Sequence, residues 1–327
     1  MRRAAPRPAV VRKGASPGTI YVIGNVNVDI VMGPLAPWPR PGTEIILPQS
    51  EIRAGGAAGI SALTLQALGA PFRMVCNIGD DMFGRWLADA FGAAGLSWPK
   101  TPNATTVSVG LTHPGGERTF LTTEGHLSAM ALEDALALLP TIAKEGDLAL
   151  LCGGFVVPRL IDSYEALIEA LKGRGFGLAL DTGWPSGGWS DATRRRVAGW
   201  LAGCDHVLLN EIESCGLSGE SEVAAAARWI AARAKPGAAV VVKRGRLGAS
   251  AWQDGRSHEA PAPRVRVVDT IGAGDVFNAS YLHARLQGRD LAAALREGVT
   301  VASAAVSTSP RRYGPAAGGS RAAAGAR

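Results

Sequence analysis

The chain has 327 residues, 47% of them apolar and 19% charged, which suffices for one large α/β domain or a main domain with a smaller one. No apolar run reaches the roughly eighteen residues that cross a bilayer, and the opening "MRRAAPRPAVVRKGASPG" lacks the apolar stretch of a secretory signal, so a cytoplasmic protein with no membrane partner is expected. The formal charge of +6 lies at the ends: nine basic residues within 1–18 and 309–327, with no acid among them, leave −3 on the rest, which argues against a nucleic-acid partner.

Residues 1–18 read as a disordered basic arm. "TIYVIGNVNVDIVM" then predicts the first strand, on which Asn27 and Asp29 alternate with Val26, Val28 and Ile30 and so share one side. "TEIILPQSEIRAGG" predicts a strand closing on Gly55 and Gly56, where the missing Cβ atoms let another group come close. After the helical "AAGISALTLQALG" and the strand "FRMVCNIG", the segment "TTVSVGLTHPGGERTFLTT" reads as a hairpin turning at Pro114, Gly115 and Gly116. Segments of about 43–54 and 104–124 together predict a small β lid. "DLALLCGGF", "GLALDTG", "HVLLNEIE" and "AAVVVKRG" follow, alternating with helical stretches such as "SYEALIEALKGRG", the pattern of a mostly parallel sheet covered by helices. The domain is placed at 19–310 and a disordered tail at 311–327. Cys76, Cys152, Cys204 and Cys215 are far apart and read as reduced thiols, and the five histidines are too scattered for a histidine metal site.

Chemistry concentrates in "VVDTIGAGDVFNASYLHARL", residues 267–286. Phe277, Tyr281 and Ala284 recur at helical spacing, so a helix starts near Asp275 and the amides before it lack intrahelical partners. With Gly272 and Gly274 bending the chain, those N–H groups suit an anion. A simple phosphate cradle would avoid the carboxylate of Asp275; an enzyme that takes a proton from a group attacking phosphate would want it. The competing reading of Asp275 is a helix N-cap. Asn210 and Glu213, three apart after "HVLLN", suit either a capping box or a cation. Neither the G-x-x-x-x-G-K-[ST] loop nor the G-x-G-x-x-G turn occurs at the first strand.

In combination, "VIGNVNVDIV", "RAGGAAGISALTLQALGA", "IGDDMFGRWL", "LLNEIES" and "DTIGAGDVFNASYL" resemble, in order, the motifs of the ribokinase-like (PfkB) family of carbohydrate and nucleoside kinases over residues 19–310. The resemblance implies a three-layer α/β/α fold with a mostly parallel central sheet and a small β lid over the sugar. It implies that Asp275 is the general base toward ATP and that Gly272, Ala273 and Gly274, with Ile271, form an anion hole. It implies acceptor contacts at Asn27, Asp29, Gly55 and Gly56, and ATP contacts at Asn210, Lys243, Gly245, Gly248, Gly272 and Gly274. Glu213 would organise Mg²⁺ through its waters, and Asp269 with Thr270 a monovalent cation such as K⁺. Ile60 stands where the family usually has an asparagine, and Ala57 where ribokinases tend to have a lysine, which predicts an acceptor other than ribose, with an apolar part; Lys243 stands where the family usually has a threonine, which predicts altered phosphate contacts. Trp38 and Trp184 are placed to stack on a sugar or base, or to pack. A sugar kinase leads; a nucleoside kinase and a non-catalytic sugar- or nucleotide-binding protein stay open. Pairing of lid edges between two subunits makes a homodimer an expectation.

Overall fold

The computed structural model describes residues 18–114 and 118–314. In chain order its strands are β1 (Ile20–Ile23), β2 (Asn27–Gly33), β3 (Gln49–Gly55), β4 (Phe72–Val75), β5 (Ile78–Gly79), β6 (Lys100–Thr101) and β7 (Val107–Thr112). There follow β8 (Arg118–Thr122), β9 (Leu148–Leu151), β10 (Gly177–Leu180), β11 (His206–Asn210), β12 (Ala239–Lys243), β13 (Ala249–Gln253) and β14 (Arg256–Ala260).

Short, wholly apolar runs such as "LALL" cannot leave either face wet, and they assemble into a sheet covered on both. Its order is β14-β13-β12-β11-β10-β9-β1-β4, parallel from β4 to β12, with β13 and β14 added antiparallel at one edge. Successive residues point to opposite layers. Val22, Leu150, Leu208 and Val241 join a core with Phe277, Tyr281 and Leu295. Their neighbours Ile23, Leu151, Leu209 and Val242 join a second core with Leu167, Trp200 and Ile230. The expected three-layer α/β/α arrangement is therefore present, and no helix among the described residues is long and apolar enough to cross a membrane.

A second, four-stranded sheet has the order β3-β2-β7-β8. Its composition corrects the reading of the first strand. The main-sheet strand ends at Ile23, and Asn27–Gly33 belongs to the small sheet, antiparallel to β3 and parallel to β7. The break has a local cause: Gly24 packs so tightly that a Cβ would lie 2.0 Å from the Cys152 carbonyl oxygen. Asn25 then turns away to cap the helix Ala57–Ala67, its Oδ1 accepting from the Ala57 N–H (3.1 Å) and its carbonyl from those of Ala58 (3.1 Å) and Gly59 (3.3 Å). Residues 43–48 form no strand, and Ile46 there is 92% exposed.

The turn expected at Gly115 and Gly116 lies outside the described residues, as do the arm through residue 17 and the tail from residue 315. The tail was expected from residue 311, yet the Arg311 side chain is 2% exposed and reaches Asp269. An arginine whose charge is paired in the interior is part of the fold.

Candidate active site

Three polar residues end apolar strands at the carboxyl end of the main sheet. Asp181 follows β10, Asn210 closes β11 and Lys243 closes β12, the last two opposite each other in register. Facing them is the N-terminus of the helix Ala273–Leu286. It begins two residues before Asp275 and its N-cap is Gly272, held at φ 72°, a left-handed conformation that favours glycine. Asp275 is thus the third helical residue, without a side-chain capping bond, and the N-cap reading falls.

The loop spends some of the amides expected to meet an anion. The Ile271 N–H donates to Asp269 Oδ1 (2.8 Å) and the Ala273 N–H to the Thr270 carbonyl (3.2 Å). Gly272, Gly274 and Asp275 keep N–H groups without a partner among the described residues, at the positive end of the helix. The anion-ready set is therefore shifted by one residue at each end, and Ala273 drops out.

Lys243 adds a full positive charge. Its ammonium donates to Asp181 Oδ2 (2.7 Å) and Asn278 Oδ1 (3.3 Å), and it lies 3.3 Å from where a Gly274 Cβ would stand. Asn278 also donates to Asp181 Oδ2. Burial alone would lower the lysine's proton affinity, but Asp181 and Glu213 raise it, so Lys243 is charged. Across from it the carboxyl of Asp275 accepts no hydrogen bond among the described residues, and its pKa is pushed up to about 8, first by burial and then by Asp181, against the pull of Lys243. Glu213 rises to about 7 for the same two reasons. Three carboxyl groups thus share one lysine.

Asn210 and Glu213 form the capping box outright: Asn210 Oδ1 accepts from the Glu213 N–H and Glu213 Oε2 from the Asn210 N–H, both at 2.8 Å. Gly245 and Gly248 have φ 52° and 92° and make the β12–β13 turn, Gly248 so close to β14 that a Cβ would lie 1.9 Å from the Ala260 carbonyl oxygen.

On the small-sheet side a buried relay runs Asn25 Nδ2 to Asn27 Oδ1 (2.9 Å), then Asn27 Nδ2 to Asp29 Oδ1 (2.7 Å). Burial raises the Asp29 pKa to about 6, against the pull of Arg53. Gly55 and Gly56 are glycine because this relay occupies the space beside them. A Gly55 Cβ would lie 2.1 Å from the Asp29 carboxyl carbon, and a Gly56 Cβ 2.6 Å from Asn27 Oδ1, with φ 81° besides. Asp269 accepts from Arg53 Nη1 (2.7 Å) and lies 3.0 Å from Arg311 Nη2.

Ile60 does not face this space. It is 3% exposed and packs with Val276, Val301 and Ala305, its Cδ1 2.4 Å from where a Gly272 Cβ would stand. It supports the loop from beneath, so the acceptor inference drawn from it loses its basis. Trp38 and Trp184 are more than half exposed and stand near His113 and Trp189. Sequence reasoning missed Asn25, Asp181 and Asn278 and the pair Arg53 and Arg311. A signal existed for Asp181: like Asn210 and Lys243, it is a polar residue directly after an apolar strand.

Ligands of open α/β sheets lodge where strand ends and helix starts face one another, and here that place carries helix-start amides without partners among the described residues and the Lys243 ammonium. The chain belongs to the pfkB family of carbohydrate kinases, whose model matches residues 18–314; these enzymes are phosphotransferases. A fructokinase from Rhizobium leguminosarum bv. trifolii is 30% identical over 239 residues, 70% of each chain. Among solved structures, a putative ribokinase II from E. coli in complex with ATP and Mg²⁺ has a TM-score of 0.74 at 21% identity, covering 89% of this chain and 93% of that one. A Burkholderia thailandensis nucleoside kinase in complex with inosine has a TM-score of 0.68 at 22% identity, covering 88% and 91%. At such identities the two structures establish the fold.

The donor set suits ATP carried with Mg²⁺. Among the described residues no three acidic, histidine or cysteine groups converge to grip an ion directly. The raised proton affinities of Glu213 and Asp275 do mark a place short of positive charge. A hydrated ion held mainly by phosphates supplies that charge without needing a protein cage.

Proposed function

We propose that the protein transfers the γ-phosphoryl group of ATP to a hydroxyl of a small sugar, with Asp275 as general base. The observation that carries this reading is the Asp275 carboxyl, which accepts no hydrogen bond among the described residues and is raised to about 8, beside three helix-start amides without partners among those residues and the Lys243 ammonium. A carboxylate with that proton affinity takes a hydroxyl proton as the oxygen–phosphorus bond forms. The bond from phosphorus to the ADP oxygen then breaks, and ADP departs with the electron pair. The amides of Gly272, Gly274 and Asp275 meet charge on the transferred group and need no reorganisation to do so.

On this reading Asn27 and Asp29, positioned by Asn25 and given room by Gly55 and Gly56, hold acceptor hydroxyls. Asn210, Lys243, Gly245 and Gly248 line the nucleotide side; Glu213 with Asp181 would face a hydrated Mg²⁺, which would supply positive charge to the phosphates when ATP is bound. ADP release should be measured over a panel of pentoses, hexoses, sugar acids and nucleosides, with Asp275→Asn as the blank. A sugar that accelerates ADP release in the native chain only is the expected result. Acceleration by nucleosides alone would move the assignment to a nucleoside kinase, and none by any member would refute catalysis.

A further inference from the structure

The family resemblance implies a monovalent cation at Asp269 and Thr270, and the residues present do not fit one. Asp269 Oδ2 lies 2.7 Å from Arg53 Nη1 and 3.0 Å from Arg311 Nη2, while Oδ1 accepts from the Ile271 N–H at 2.8 Å. The Asp269 main-chain carbonyl oxygen accepts from Arg311 Nη2 at 2.5 Å. Both carboxylate oxygens and the carbonyl oxygen therefore already face N–H donors. The two guanidinium groups are inside the protein, their side chains 9% and 2% exposed. An alkali ion seated here would stand against two fixed positive charges within a few ångströms, and each would repel it with little solvent between to screen the charge.

We propose that Arg53 and Arg311 are this chain's built-in replacement for the monovalent cation, so that phosphoryl transfer runs without K⁺. This rests on the kinase reading above. The two arginines fix Asp269, Asp269 Oδ1 fixes the Ile271 N–H, and the next residue is the left-handed Gly272 from which the free amides follow. Arg53 and Arg311 are positioning residues, acting on the anion loop through Asp269. They are suited to this because a guanidinium keeps its charge at any working pH and presents several donors in one plane. Glu51, 3.8 Å from Arg53, adds partial balance to the pair.

The test compares KCl with choline chloride at matched ionic strength, reading kcat, KM for ATP and acceptor, and the melting temperature of the full chain. Equal kcat and equal melting temperature in the two salts are expected for the native protein. A K⁺ activation of about tenfold or more, or a melting temperature that climbs with K⁺ over choline as a bound ion demands, would overturn the proposal. Arg311→Met and Arg53→Met should lower kcat in choline and regain part of it in KCl, whereas Arg53→Lys should keep most of the native rate. Full native turnover of Arg311→Met in choline would also overturn it. Should the variants fail to fold, the native comparison still decides. Absence of ADP release with every acceptor in both salts would sink the kinase reading, while the melting comparison would still test the arginine pair.

Discussion

Replacing Asp275 by asparagine separates the cost of this residue from its use. The carboxyl's pKa is raised from the ordinary 3.8 to about 8, so the folded chain holds a proton that the unfolded chain has released. Between those values stability falls as pH rises, because the native state binds more protons than the unfolded one; above about pH 8 the loss is complete. At ~1.4 kcal/mol per pH unit the interval sets a ceiling of ~6 kcal/mol. Asp275 keeps some solvent contact, and relaxation with entering water reduces the figure, so we expect ~1–3 kcal/mol. Asparagine has the shape of the protonated acid and no charge. Asp275→Asn should therefore melt higher than the native chain, by a margin that grows from pH 4 to pH 8 and levels off beyond. A kilocalorie moves the midpoint of a chain somewhat smaller than this by about 2–4 °C, so a shift of several degrees at pH 8.5 is measurable by scanning calorimetry. The same variant should lose turnover by about 10²–10⁴, the usual contribution of a general base, with ATP binding nearly intact. A variant that keeps more than a tenth of native turnover, or melts no higher at pH 8.5 than at pH 4.5 relative to the native chain, would refute the reasoning.

Lys243→Met leaves Asp181 buried without its cation and should cost ~3–5 kcal/mol in denaturant unfolding. Because Lys243 holds the Asp275 pKa down, its loss should also move the acid limb of kcat/KM to higher pH, and an unmoved limb would remove Lys243 from the base's surroundings. Gly55→Ala puts a methyl 2.1 Å from the Asp29 carboxyl carbon and should raise KM for the acceptor while leaving KM for ATP alone, as steady-state titrations of each substrate would reveal. Ile60→Asn should destabilise by ~1–3 kcal/mol, since it buries an amide among Val276, Val301 and Ala305, and should improve turnover of no simple sugar in the acceptor panel.

What could be read from the chain depended on how far apart the partners lie. Gly272, Gly274 and Asp275 fall within one turn of backbone, and Asn210 with Glu213 within another, so spacing drew attention to them and the family resemblance gave them their roles. Asp181 and Lys243 are 62 residues apart and are brought together by the strand order, while Arg53 and Asp269 are 216 apart and meet only where the small sheet packs against the loop before Gly272. The alternation of valines through Gly24 also hid the change of sheet after Ile23, since a period of two says which residues share a side and not which strand they pair with. Ile60 was misread because helical spacing leaves open which face of Ala57–Ala67 meets the cleft. Arg311 was lost to composition, since a segment rich in arginine and glycine looks solvated until a carboxylate is found for it.

The small sheet is joined to the rest of the chain by four crossings, residues 24–26, Gly56, 102–106 and 123–124, and the strand register puts all four at the same end of the sheet. Asn25 clamps the first two by accepting the Ala57, Ala58 and Gly59 N–H groups. Any swing of that sheet must pivot about this seam, like a door hung along one short side. Asp29 and Arg53 lie close to the hinge and hardly travel, whereas Gln49, six residues and roughly 20 Å of strand from Gly55, moves with the most leverage. A fluorescent or spin label at Ile46 would therefore report the swing at full amplitude, and one beside Asn27 would stay almost silent. Cross-linking the outer end would arrest the motion without disturbing the residues at the seam.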